Sequence, residues 1–470
     1  MTFPVKVSGE WRDIITAFAK QKGVWVKVYD TYTLIQFTNY PYKIPTMAGW
    51  QYSWDGVEWV DITYDMELNT IGYTFTGYVK ARNELNLNNH DSRTKGLRFD
   101  GSPLSLAREY LSSATIGDSS FVAGGRVGME TYYATVDMYD SYGVATKVTD
   151  LAGQAGMMTS GTAGNKVHFI SGAIYNGSTW TVRRLLTSYD ENGLRSTLTL
   201  PTGYGSYLAS ATNFNGNVWV FGGKTASGNT STVFTVGDNS TITMRTSMSS
   251  ERHSSCAFTL GDYAYTYGGV TPSGVMSKVG EKYGADNSVT TATYMSLGRS
   301  NLTACVLGNR AVICGGETDN GYTALVETLD GNGVISSATS LNVARASLTS
   351  FVMGDRLYVC GGTNGAASVD TVDVYDQNMV HTLGTPLSTT REALTSFVNN
   401  DKGFVCGGIS YGSTNAHRDT VDIYKDVNAI PVSAGSQYSL NGMTGVAENS
   451  GTIFLDDPVT GTVKYAKGTI

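Results

Sequence analysis

Four things are scarce in this sequence. Cysteine is the first: five in 470 residues do not make a disulfide scaffold. Histidine is the second. His90, His168, His253, His381 and His417 show no H-x-H or H-E-x-x-H spacing, so the pattern signals no histidine metal centre. Proline is the third, at nine residues. Charge is the fourth: Asp, Glu, Lys and Arg make up only 16% of the chain, with a net −7. Lys and Arg are dispersed, and no basic run of the nucleic-acid-binding kind is present. Long apolar runs are missing too, and none reaches the roughly 18 residues that span a membrane. The start, Met1-Thr2-Phe3-Pro4-Val5-Lys6, has neither the charged head nor the apolar core of a signal peptide. These absences lead us to expect no nucleic-acid partner, no membrane insertion and no signal peptide.

Glycine, in contrast, is abundant at 55 residues, beside an ordinary 41% of hydrophobic residues. Many glycines with few charges disfavour long surface helices and favour strands joined by tight turns. The glycines are also periodic. A Gly-Gly pair closing an apolar run recurs at Gly124-Gly125, Gly222-Gly223, Gly268-Gly269, Gly315-Gly316, Gly361-Gly362 and Gly407-Gly408, with Ser171-Gly172 as a degenerate copy. The seven copies are 46 to 51 residues apart, the length of a propeller blade. Seven residues before each pair stands a turn signal, such as Gly308-Asn309 or Gly354-Asp355, made of residues that tolerate positive φ. Sixteen residues before it stands an arginine in five copies (Arg108, Arg252, Arg299, Arg345, Arg391); Ala155 and Ser206 fill the other two. Tyr-Asp or a relative follows the pair by about 14–18 residues, as at Tyr139-Asp140 and Tyr375-Asp376, a spacing that suits the third strand of a blade.

Each unit therefore reads as four strands: A after the arginine, B ending at the glycine pair, C carrying the tyrosine, and D outermost. The set resembles the kelch family, which implies an all-β, seven-bladed β-propeller with four-stranded blades. The resemblance covers residues 96–426. It departs from the family in lacking the tryptophan that usually follows the tyrosine. Gly384 to Glu392 (GTPLSTTRE) and Gly101 to Glu109 (GSPLSLARE) are identical at six of nine positions. The stretch near 96–104 is therefore expected to supply the outer strand of blade seven and close the ring.

Outside the propeller, residues 1–90 are expected to form an N-terminal β-sandwich-like adaptor, 91–95 a linker and 427–470 a short β-rich tail. Gly9-Glu10-Trp11-Arg12-Asp13-Ile14 is echoed by Gly23-Val24-Trp25-Val26-Lys27-Val28. The pair resembles the G-x-W-[KR]-x-[IV] repeats of tailed-phage tail and other virion proteins. The run from Trp50 to Trp59 and the alternating Tyr73 to Arg82 look like half of a small immunoglobulin-like sandwich.

Candidate chemistry is sparse. A kelch-like copper oxidase such as galactose oxidase needs converging histidines and tyrosines with a cysteine cross-linked to one tyrosine, and the dispersed histidines do not assemble that set. Cys314, Cys360 and Cys406 share one repeat position and read as small apolar residues of strand B. Cys256 and Cys305 read as buried thiols. Glu317, Asp319, Asp370 and Asp373 read as solvated loop charge without a calcium-loop pattern. No metal or cofactor is expected. The five repeat arginines read as structural, pairing with a neighbouring blade, with an anion-attracting ring as the competing reading.

Binding is expected on the rim of B–C loops. There Tyr132, Tyr133, Tyr175, Trp180, Tyr322, Tyr411 and His417 sit among Ser, Asn and Gly, a mixture suited to protein or sugar ligands. The resulting expectation is a non-enzymatic virion protein, made in the host cytoplasm, acting as a tail-fibre-associated adhesin. It would bind a host-surface glycan or protein through the propeller loops and other virion proteins through its ends, with self-association left open. The alternative is a cellular kelch-type binding module or sugar-processing enzyme.

Overall fold

A computed structural model describes residues 93–412 and 415–432 continuously, with separate short strands among residues 3–81 and 437–467. Residues 23–28, 54–59 and 82–92, which carry Trp25, Trp54, Trp59, His90 and the first two residues of the expected linker, lie outside the described residues.

The chain divides into two compact units. The larger, 103–141 with 145–422, is the propeller. Blade five shows the pattern: Thr303–Leu307 (A), Arg310–Cys314 (B), Val326–Asp330 (C) and Ile335–Ala338 (D) pair antiparallel in sequence order. Sheets at 112–147, 159–199, 210–245, 256–292 and 349–383 repeat it. The seventh opens with Thr395–Asn399 paired to Lys402–Cys406, and its third strand begins at Val421. The protein is thus an all-β, seven-bladed propeller with four-stranded blades. The A–B turns take left-handed backbone at the expected residues, from Gly117 (φ 53°) to Asn400 (φ 53°). At the C–D turns the Asp of Tyr-Asp acts as a local acceptor. Asp376 Oδ1, for example, receives the amides of Asn378 and Val380 at 2.9 and 2.8 Å, an Asx-type turn.

The blades are joined by three sets of contacts. Apolar clusters fill the seams. Between blades five and six, Val312, Cys314, Leu348, Leu357 and Val359 pack together. At the seam of blades seven and one, Tyr139 meets Phe397 and Phe404 at 6.0 and 6.3 Å between ring centroids. Hydroxyls line the seams nearer the axis: Ser112–Ser160, Thr303–Ser350, Thr349–Ser396 and Thr395–Ser113 lie 2.6–2.7 Å apart. Finally, the second glycine of each pair donates its amide to the backbone carbonyl of the repeat-arginine position of the next blade. This bond forms at all seven seams, from Gly125 to Ala155 round to Gly408 to Arg108, at 2.8–3.0 Å. The geometry requires glycine. Gly316 sits at φ 109°, and a Cβ there would lie 2.8 Å from the Ser300 carbonyl oxygen.

The five arginines are fully buried, so they form no anion-attracting surface. Their carboxylate partners also differ from the expected neighbouring blade. Each guanidinium reaches across strands A and B of its own blade to an acid on strand C. Arg108 meets Asp137 at 2.8 Å, Arg252 meets Glu281 and Arg299 meets Glu327 at 2.5 Å, Arg345 meets Asp373 at 2.6 Å, and Arg391 pairs with Asp422. Arg299 Nη1 also donates to the Gly315 and Leu325 carbonyls at 2.9 and 3.0 Å. The two blades without the arginine also lack the acid. Thr187 and Phe234 stand at the matching strand-C register, opposite Ala155 and Ser206. Keeping both charges or neither is what the cost of an unpaired buried charge demands. In blade three the Ser206 hydroxyl takes over the bond to the Gly222 carbonyl at 2.9 Å. Asp373, expected to be solvated, is instead fully buried in this network, where it also meets His381 Nε2 at 2.6 Å.

The second unit comprises 1–102, 142–144 and 423–470. In it Arg93–Asp100 pairs with the strand Val421–Val432, and the Gly96 amide donates to Asp426 Oδ1 at 2.7 Å. The strand starts at Arg93, inside the stretch expected as linker. Residues 426–432 continue the third strand and do not replace the outer one. The expected separation of adaptor and tail also differs, because Ile35–Phe37 pairs with residues 445–447 and Gly451–Asp457 extends the sheet beside Asn428 to Val432.

Two outcomes follow for unfolding experiments. Arg299→Ala should cost about 3–5 kcal/mol by stranding Glu327. Arg299→Ala with Glu327→Thr, the pairing of blade two, should recover much of that loss in urea titrations. Gly316→Ala should destabilise by more than about 1 kcal/mol, because the new side chain meets both positive φ and a backbone oxygen.

Candidate functional site

Strand A begins and strand B ends at the same end of every blade, so the segments leading into A and the B–C loops share one rim. Two tiers of residues line it. The residue after the repeat-arginine position forms a bridge with the residue after the glycine pair, as in Glu109–Arg126, His253–Val270 and Glu392–Ile409. Around the ring this outer tier reads Glu109, Gly156, Tyr207, His253, Ser300, Ala346 and Glu392. The next residue forms the inner tier: Tyr110, Met157, Leu208, Ser254, Asn301, Ser347 and Ala393. All seven have positive φ, from 48° to 56°. The amide of each donates to the carbonyl of its counterpart in the preceding blade, at 2.9–3.2 Å, and Tyr110 closes the circle on Ala393. The backbone polar groups of the mouth are therefore satisfied by the ring itself, and the side chains are left to line the opening.

That opening is a cavity of about 290 Å³ on the axis. Its lining is divided. At the inner tier Tyr110, Met157, Leu208 and Ala393 are apolar in blades seven and one to three, and Ser254, Asn301 and Ser347 are polar in blades four to six, where Ser255 and the apolar Leu302 and Leu348 also line the cavity. The left-handed backbone excludes β-branched residues here and disfavours every side chain relative to glycine. None of the seven positions holds glycine, and such strain gathers at functional sites.

The B–C loops are themselves short hairpins, for example Ala173–Tyr175 with Trp180–Val182 and Ile409–Ser410 with Ala416–His417. They sort the expected rim residues into two groups. Tyr132 is buried with Met157, Ala173 and Tyr207, and Tyr175 and Trp180 pack against that cluster. Trp180 lies 5.1 Å from Tyr207, stacked, and 5.2 Å from Tyr175. One of its faces is thus stacked on Tyr207, and this aromatic group packs as part of the scaffold. Tyr133 is half-buried and its amide bonds to the Gly125 carbonyl at 2.9 Å.

The second group faces solvent. Tyr322 and Tyr411 are 37% and 40% exposed. Tyr411 is tied to the neighbouring hairpin by its amide, which donates to Ser368 Oγ at 2.9 Å. His417 Nε2 accepts the Gly128 amide at 3.1 Å and lies 3.8 Å from Glu109. Burial and the nearby Arg126 lower its pKa. Glu109 holds Arg126 at 3.0 Å, and the Arg126 guanidinium lies 4.7 Å over the Tyr110 ring. Burial raises the pKa of both Glu109 and Glu392, and the Glu392 charge raises Glu109 further. Glu392 Oε2 is buried without a hydrogen-bond partner.

Chemical variety is thus concentrated between blades five, six, seven and one. Glu109, Tyr110, Arg126, His253 and Glu392 were not singled out from the sequence. The signal was present in the repeat register: at the two positions after the arginine, residue type changes from blade to blade while the glycine pair and, in five blades, the arginine hold.

The Kelch motif family matches residues 344–378, which span blade six from its repeat arginine to its C–D turn. A solved structure titled "Structure of YjhT" is similar over 73% of this chain and 99% of its own, with a TM-score of 0.45 and 13% sequence identity. Comparison with curated proteins gives no match.

The two aromatic groups should respond differently to truncation. Trp180→Ala should cost roughly 1–3 kcal/mol, below the range for a fully buried tryptophan. Tyr411→Ala should change stability by no more than about 0.5 kcal/mol. Urea denaturation of both variants measures the contrast.

Proposed function

We propose that this protein is a non-enzymatic recognition protein that binds a glycan of a host surface at the propeller mouth, and that it does so as a tail-fibre-associated adhesin of a virus particle. The observation that supports binding is the mouth itself. A ring whose backbone bonds are closed internally presents a small cavity with apolar side chains and, at the inner tier of blades four to six, a run of polar ones. Sugars match such a lining, with C–H faces for the apolar side chains and hydroxyls for Asn301, Ser254 and Ser347. The cavity is at the small end of ligand sites, which suits one sugar ring of a longer chain. The virion setting is supported by the Trp11/Trp25 duplication and its resemblance to tail proteins. In that setting the terminal segments bind neighbouring virion proteins, and self-association through them is a further route to valency.

A second reading, a sugar-processing enzyme, draws on Glu109 and Glu392, two neighbouring carboxyls with raised pKa of the kind that hydrolases use as acids. Two experiments separate the readings. On a glycan array, the protein should retain selected glycans unchanged, and Asn301→Ala with Tyr411→Ala should abolish retention. Cleavage of a retained glycan would support the enzyme. Immunogold labelling should place the protein on particle tails, and its absence from any virion would remove the virion setting.

A further inference from the structure

Resting on the glycan reading above, we infer that Glu392 forms a subsite for a free primary amine, so that the recognised sugar is an amino sugar that is not N-acetylated. Glu109 and Glu392 occupy the same tier of adjacent blades but differ in compensation. Glu109 is paired with Arg126 at 3.0 Å. Glu392 has no cationic partner among the described residues. The Thr363 and Ser368 hydroxyls favour its charged form against the larger effect of burial, but its Oε2 is buried without a hydrogen bond. A partly buried acid with no cation beside it is costly unless something else supplies the charge.

The surroundings specify what that something is. Tyr110 donates its amide to the carbonyl of Ala393, the residue after Glu392, at 2.9 Å, and Tyr411 follows by two residues the Ile409 that Glu392 bridges. Aromatic residues close to one carboxylate favour a compact cation. A guanidinium would seek two coplanar acceptors, and Glu392 offers one unsatisfied oxygen. No trio of His, Cys, Asp or Glu side chains suited to a metal ion occurs among the described residues. An ammonium group fits what is left. Ala393, the next residue of the chain, lines the cavity, so a sugar ring seated there places a ring substituent near the carboxylate. An acetamido group at the same place would set an uncharged methyl ketone-like end against a buried anion.

The test is calorimetric titration of the full chain with a glucosamine tetrasaccharide, its fully N-acetylated counterpart and tri-lysine. The free-amine tetrasaccharide should bind at least about tenfold tighter than the acetylated one, the equivalent of one charge-assisted hydrogen bond. Glu392→Gln should erase that preference while leaving the melting temperature no lower than in the parent, and Tyr411→Ala should weaken both sugars alike. Equal binding of the two sugars by the parent would overturn the amine subsite and leave the glycan reading intact. Failure of both sugars to bind would overturn the subsite together with the glycan reading. Glu392-dependent binding of tri-lysine without binding of the amino sugar would overturn the sugar assignment in favour of a peptide ligand.

Discussion

Seven backbone hydrogen bonds at the axis govern this molecule. Tyr110, Met157, Leu208, Ser254, Asn301, Ser347 and Ala393 pass one amide-to-carbonyl bond from blade to blade until the circle closes. Forming it forces each of them into left-handed backbone, and the segment that leads into strand A must then be held there. The glycine pair does so from one side, donating to the carbonyl two residues earlier. In five blades the buried arginine does so from the other, clamped to an acid on strand C. A repeat stripped of the glycine amide would leave a polar backbone group unsatisfied in the interior, where each costs about 1–3 kcal/mol.

The same constraint explains why side-chain variety collects at the mouth. Once the inner tier is fixed by its own backbone, its side chains no longer have to hold the ring together. Tyr, Met, Leu, Ser, Asn, Ser and Ala are interchangeable for closure, since none is β-branched. Position within the repeat therefore separates roles. At the arginine position the residue serves the fold, and at the two following positions it is free to serve a ligand. The division of the inner tier into apolar and polar positions, and the placement of Glu109 and Glu392 on adjacent blades, are what that freedom produces.

Much of the architecture was legible in the chain because it depends on residue types with few substitutes. Positive φ in the A–B turns calls for Gly or Asn, and the close approach at the seams calls for Gly, so both leave periodic marks. The arginine was visible for the same reason. Its partner was not, because Asp137, Glu281, Glu327, Asp373 and Asp422 vary in type and fall 28 to 31 residues downstream across loops of different length. Asp373 consequently read as loop charge. The rim tyrosines read alike in sequence, but exposure depends on how each B–C hairpin folds back. Trp180 turned inward against Tyr207, and Tyr411 did not. The hydrogen-bonded circle left no mark of residue type, since its bonds are all backbone.

Amide hydrogen exchange tests the closed circle most directly. The seven inner-tier amides should be protected to a similar degree, close to the limit set by opening of the whole propeller. Fast exchange at any one of them, at Tyr110 where blades seven and one meet above all, would show that the ring is open at that seam and that the mouth is not the rigid frame described.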